Sequence, residues 1–147
     1  MGKRGKTVQV TFLKRNLLQR ILGVPATPRT QDPGGWAFSG EKLVIDLKRT
    51  TQLEKPGDAL RFEGRGLPDR VLVVLGEDGA YHAFRNRCTH LGHRRLDPVP
   101  GTQTLQCCSV SKSTYDLEGK RIYGPAPRPI TAYAAEREGD KLIVTLS

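Results

Sequence analysis

A chain of 147 residues with 37% hydrophobic residues has material for one packed core and too little length for a second large domain. The 16 glycines and 10 prolines argue against a helical bundle, because both residues interrupt regular elements, and the three cysteines exclude a complete disulfide framework. The net charge of +9 suits an anionic partner, and no apolar run approaches the roughly 20 residues of a membrane-spanning helix.

Residues 1–23 carry six basic side chains (Lys3, Arg4, Lys6, Lys14, Arg15, Arg20) and no acid. Leu13, Leu17, Leu18, Ile21 and Leu22 recur among them at helical spacing, which predicts a short amphipathic helix ended by Gly23 and Pro25. Its apolar face is expected to pack on its own domain. The alternative is docking through residues 1–23 on an anionic membrane surface or a protein partner. The basic start is not followed by an uninterrupted apolar segment, so no secretory signal is expected. The expected location is cytoplasmic, peripheral to a membrane if the helix docks there. Residues 24–40, with three prolines and three glycines, read as a loop or linker pinned to the core by Trp36 and Phe38. The expected division is therefore 1–40, basic helix and linker, and 41–147, a folded domain.

From Lys42 onward the pattern is β. Strands are expected at 43–47, 60–62, 70–75, 80–84, 113–116, 120–123, 130–134 and 141–145. Those at 70–75 and 80–84 form a hairpin across Gly76-Glu77-Asp78-Gly79. Short strands at this spacing indicate an antiparallel sandwich or barrel.

The chemistry is concentrated between Cys88 and Tyr115. Cys88-Thr89-His90 places a soft thiolate and an imidazole in one tight loop, and 17 residues separate His90 from Cys108 in a second loop, Cys107-Cys108-Ser109-Val110-Ser111. Thiolates bind iron and zinc well, and imidazole suits both. In a chain without an export signal, clustered cysteines near histidines point to metal or redox work rather than to disulfides.

These residues resemble the Rieske family, whose pattern is C-x-H, a spacer of this length, then C-x-x-H. The approach Gly79–Arg87, the stretch Ser113–Gly119 and the proline-rich Gly124–Pro129 resemble that family too, and the likeness covers residues 42–147. It implies an all-β, Rieske-like antiparallel β-sandwich with two cluster-binding loops at its tip, preceded by the short amphipathic helix. The likeness departs at one ligand: alignment on Tyr115-Asp116 makes Cys108 the second cysteine and leaves Ser111 where the second histidine belongs, and the register on Cys107 leaves Val110 there.

Four readings of the site stay open. His93 or Cys107 replaces the missing histidine, and a third thiolate would lower the reduction potential. Ser111 ligates as an alkoxide, a weaker donor. Zinc takes Cys88, His90, His93 and Cys107 or Cys108. Or the fold has kept its shape and holds no cofactor. Cys107 also reads simply as a buried thiol, and His82 as a surface position on a strand. Arg87, Arg94, Arg95 and Lys112 surround the site and could face an acidic redox partner.

The resemblance implies an electron-transfer protein similar to Rieske ferredoxins, with a [2Fe–2S] cluster held by Cys88, His90, Cys108 and a fourth donor. No further His and carboxylate set remains for a mononuclear iron, so the chain is expected to act as a carrier and not as a catalyst alone. The alternative is a cofactor-free or zinc-binding interaction module. Nucleic-acid binding is not expected, since no recognition motif accompanies the basic charge.

Overall fold

Val71 to Leu75 form a strand buried along its whole length, as a run of five apolar residues without a polar alternate demands. In the computed structural model, residues 11–30, 32, 34–89, 94–99 and 101–146 are described. Among them the chain forms one α-helix, α1 (Leu17–Leu22), and strands β1 (Trp36–Ser39), β2 (Lys42–Asp46), β3 (Ala59–Phe62), β4 (Val71–Leu75), β5 (Tyr81–Arg85), β6 (Leu96–Pro98), β7 (Thr104–Cys107), β8 (Thr114–Asp116), β9 (Arg121–Tyr123), β10 (Ala132–Glu138) and β11 (Lys141–Thr145). The seven-stranded sheet runs β1-β2-β11-β10-β5-β4-β3 and the four-stranded sheet β6-β7-β8-β9, with every strand pair antiparallel. No helix among the described residues is long and apolar enough to cross a membrane.

The central strands divide two cores by the period-two rule. Val71, Val73 and Ala83 point into a cluster with Trp36, Leu43, Ile45 and Phe62. Leu72, Val74 and Phe84 point the other way, into a cluster with Leu96, Leu105, Tyr115, Cys88 and Cys107. The second core therefore carries the small sheet and, at its margin, two of the three cysteines. The expected hairpin is present as β4–β5, with Val73 opposite Ala83. Within the stretch read as loop, Trp36 begins β1, which pairs with β2 and buries the indole in the first core.

The N-terminal helix forms as expected, but its orientation does not follow the expectation. Asn16 caps it in a capping box with Gln19, and Gly23 at φ +66° ends it. A side chain at Gly23 would also collide with Arg94, since its Cβ would lie 1.6 Å from Nη1. The leucine face is not the buried one: Leu17, Leu18, Ile21 and Leu22 are 69%, 64%, 53% and 62% exposed. Arg20 is buried instead. Its guanidinium donates to Leu13 O (2.7 Å), Gln106 Oε1 (3.0 Å), Ser109 O (3.2 Å) and Cys107 O (3.4 Å). The loop after β7 presents carbonyls that need donors, and in a six-residue helix satisfying them outweighs burying aliphatic surface.

Candidate metal centre

The site is assembled by backbone pairing before any side chain is considered. The chain leaves β5 through Asn86, fully buried, whose N–H donates to Arg70 O and whose Oδ1 accepts from Leu96 N at 2.7 Å. That bond draws the end of β5 onto the start of β6. Cys88 N then donates to Arg94 O and Cys108 N to Arg95 O, each at 3.0 Å, while Cys107 N donates to Ser113 O at 2.7 Å. Two successive carbonyls thus hold the first cysteine loop against the second.

All three cysteines are free and buried. Cys88 and Cys107 are packed together in the second core cluster, and Cys108 follows Cys107 in the chain. Cys108 Sγ also donates to Gly23 O at 3.3 Å, which places it beneath the segment that follows α1. Ser111 is one step removed: its hydroxyl meets Ser109 Oγ at 2.9 Å, and Ser109 Oγ meets Cys107 Sγ at 3.1 Å. His90 and His93 lie outside the described residues. His82 sits on β5 against the Asp78 carboxylate at 3.3 Å, a surface position. Among the described residues no three His, Cys, Asp or Glu groups surround one metal position.

Tyr115 served in the sequence only to set the alignment, yet it is part of this group. Its hydroxyl lies 3.5 Å from Cys88 Sγ and accepts from Thr89 N at 3.3 Å. Thr89 Oγ1 in turn donates to Arg128 O at 2.6 Å, tying the first loop to the proline-rich one. Burial, then the neighbouring Cys88, pushes the phenol well above its usual range, so it remains a hydrogen-bond donor toward a thiolate. At the proline-rich loop, Gly124 (φ +93°) has no room for a side chain, since a Cβ would lie 2.6 Å from Ser113 Cα.

The surrounding cations divide into two groups. Arg95 joins Arg61 on the Glu63 carboxylate, and Arg94 Nη2 donates to Ile21 O at 3.2 Å, so both work inside the fold. Burial opposes ionisation of Glu63, but hydrogen bonds from Arg95 and Arg61 outweigh it and hold its pKa below the usual range. On the other side, Arg85, Arg87 and Arg128 line a cavity of about 440 Å³ that reaches Cys88 and Thr89, with Asp69 pairing with Arg85 and Arg87.

The vicinal thiols differ in acidity. The hydrogen bond from Cys107 lowers the Cys108 pKa to about 7 against the opposing effect of burial, while Cys107 is pushed up by the same bond. In metal-free protein, alkylation by iodoacetamide is therefore expected to select Cys108, with a rate rising through pH 7 as its thiolate forms. Peptide mapping across a pH series checks this; equal labelling of Cys107 and Cys108 near pH 7 would contradict it.

Comparison with known proteins agrees with this arrangement. The family described as "Rieske [2Fe-2S] domain" matches residues 43–134. The cytochrome b6-f complex iron-sulfur subunit of Synechococcus elongatus is 33% identical over 122 residues, covering 80% of this chain and 67% of that protein. Among solved structures, the ferredoxin of carbazole 1,9a-dioxygenase from Nocardioides aromaticivorans IC177 superposes with a TM-score of 0.54 at 24% identity, over 71% of this chain and 95% of the other. The plasma membrane Rieske protein PetC3 from Synechocystis PCC 6803 gives a TM-score of 0.50 at 25% identity, over 59% and 85%. The paired cysteine loops at the margin of the second core, the strand order around them and the family match over residues 43–134 place the chain in the Rieske [2Fe–2S] domain family.

Proposed function

We propose that the chain carries single electrons through a [2Fe–2S] cluster held by an altered ligand set, three thiolates and one imidazole. It is a Rieske-type electron-transfer protein, a component of an oxidoreductase system rather than a catalyst by itself. The donor set fits the group. Three buried thiols stand on the two loops that backbone bonds hold together, and thiolates are the soft donors that iron–sulfur clusters take. When bound, such a cluster takes up and releases one electron.

In this reading Cys88 and Cys108 hold one iron, and His90 with a fourth donor holds the other. The observation favouring Cys107 over Ser111 as that donor is position: Cys107 is packed with Cys88 in the second core, whereas the Ser111 hydroxyl reaches this group only through Ser109. His93 in place of Cys107 would give two thiolates and two imidazoles, the set that the substitutions below distinguish. The protein's own groups tune the site. Tyr115 donates toward Cys88, and Arg20 brings a buried positive charge to the carbonyls of Cys107 and Ser109. Both favour the reduced, more negative state, while a third thiolate opposes them.

The redox partner is proposed to present an acidic face to the cavity lined by Arg85, Arg87 and Arg128 beside Cys88. Docking through the N-terminal segment belongs to the same proposal, since α1 turns its aliphatic face outward next to the second cysteine loop.

Substituting Cys107→Ser, Ser111→Ala and His93→Ala one at a time identifies the fourth donor. Cys107→Ser is expected to lose the cluster or change its electron paramagnetic resonance spectrum, and Ser111→Ala to leave both intact. An unchanged spectrum in Cys107→Ser would remove it from the ligand set. The wild-type midpoint potential is expected below about −150 mV, the lower edge for sites with two imidazoles.

A further inference from the structure

We infer that the outward face of α1 seats the protein on a bilayer bearing anionic phospholipid headgroups. This extends the docking reading above and is independent of what the cysteines hold. The helix has no choice about which face it shows. Arg20 is gripped by Leu13, Gln106, Cys107 and Ser109, and the following turn is fixed by Ala26 and Thr27 on the buried Asp97 carboxylate, so residues 13–27 form a strap held by polar bonds. With the polar side committed inward, Leu17, Leu18, Ile21 and Leu22 stand in solvent. Val110, also exposed, stands in the cysteine loop whose Ser109 carbonyl Arg20 holds.

The chemistry of this surface selects its occupant. The outward face of α1 is aliphatic, and the exposed aromatic before it, Phe12, is engaged by Tyr123 and Lys112. Its charge is of one sign: Lys14 and Arg15 precede the helix, and no carboxylate occurs in the sequence before Asp32. Aliphatic side chains that enter the acyl boundary, flanked by cations at headgroup level, are what an interfacial helix requires. A lipid surface needs no shape complementarity, which a convex six-residue helix could scarcely offer. Docking in this way would bring the second cysteine loop to the bilayer.

The test is co-sedimentation of the full chain, with and without iron, on vesicles of equal parts phosphatidylcholine and phosphatidylglycerol, against vesicles of phosphatidylcholine alone. Binding to the anionic vesicles is expected, falling steeply with salt. The double variant L18D/I21D is expected to bind about tenfold more weakly or worse. Both positions are exposed, so circular dichroism and thermal unfolding of the variant should match wild type. Lys14→Glu tests the charge contribution by the same assay. No binding to anionic vesicles, equal binding to neutral ones, or undiminished binding by L18D/I21D would overturn the inference. So would a concentration-dependent dimer dissolved by the double variant, which would assign the face to a second copy. Because metal-free protein serves equally well, failure here leaves the cluster untouched, and failure of the cluster leaves this result standing.

Discussion

Cys88→Ser is expected to leave a folded protein that no longer retains iron. Cys88 is fully buried, opens the first loop and shares its sulfur's surroundings with Cys107 and the Tyr115 hydroxyl. A serine oxygen is a harder and far less acidic donor than a thiol, so it replaces a thiolate toward iron poorly. Its volume is close to that of cysteine, and the Tyr115 hydroxyl 3.5 Å from the sulfur gives the new hydroxyl a partner. The fold should therefore lose no more than about 1–2 kcal/mol. Iron and acid-labile sulfide in the purified variant should fall at least about tenfold below wild type, with the far-ultraviolet dichroism unchanged. Full iron content in Cys88→Ser would remove this residue from the site.

Asp97→Ala is expected to be the most destabilising single change on the strap side of the molecule. The carboxylate lies on β6 with no exposed surface and accepts three hydrogen bonds, from Ala26 N and Thr27 N at 2.8 Å and from Thr27 Oγ1 at 2.7 Å. Removing it strands two buried donors of Thr27 and the part-buried Ala26 N–H, which costs about 3–5 kcal/mol, a large share of the roughly 5–15 kcal/mol that holds a domain together. Thr27→Val removes a single donor and should cost only about 1 kcal/mol. Chemical denaturation measures both, and hydrogen exchange at Ala26 and Thr27 reports whether the strap opens before the rest unfolds. A loss below about 1 kcal/mol in Asp97→Ala would mean that these bonds do not anchor the segment.

Buried polar side chains explain what was hard to read in the sequence. Strands β4, β5 and β11 were legible because their burial comes from apolar side chains between turn residues. The turn Glu138-Gly139-Asp140 before β11 and the run Val71–Leu75 need no distant partner to be recognised. Strands β6 and β7 were not legible. Each carries a fully buried polar side chain, Asp97 and Gln106, whose burial is permitted only by partners far away in the chain. Gln106 accepts from Leu13 N and Arg20 Nη2 and donates to Thr114 Oγ1, bonds that no local pattern announces. Arg20 follows the same rule: helical spacing identifies the helix, but which face turns inward depends on acceptors for the guanidinium that belong to residues 106–109. At the site, the sequence marks Cys88, Cys107 and Cys108 as clustered cysteines, and all three are buried in the fold. Tyr115 as a hydrogen-bond partner of Cys88, and Arg94 and Arg95 as backbone acceptors for the two loops, became visible only once β6 was in place.

Iron and acid-labile sulfide analysis with visible absorption, on protein purified without oxygen, tests the central claim most directly. The ligand set proposed here predicts a red-brown protein with about two irons and two sulfides per chain and charge-transfer bands in the visible. Zinc without sulfide, or a folded, colourless and metal-free chain, would contradict it.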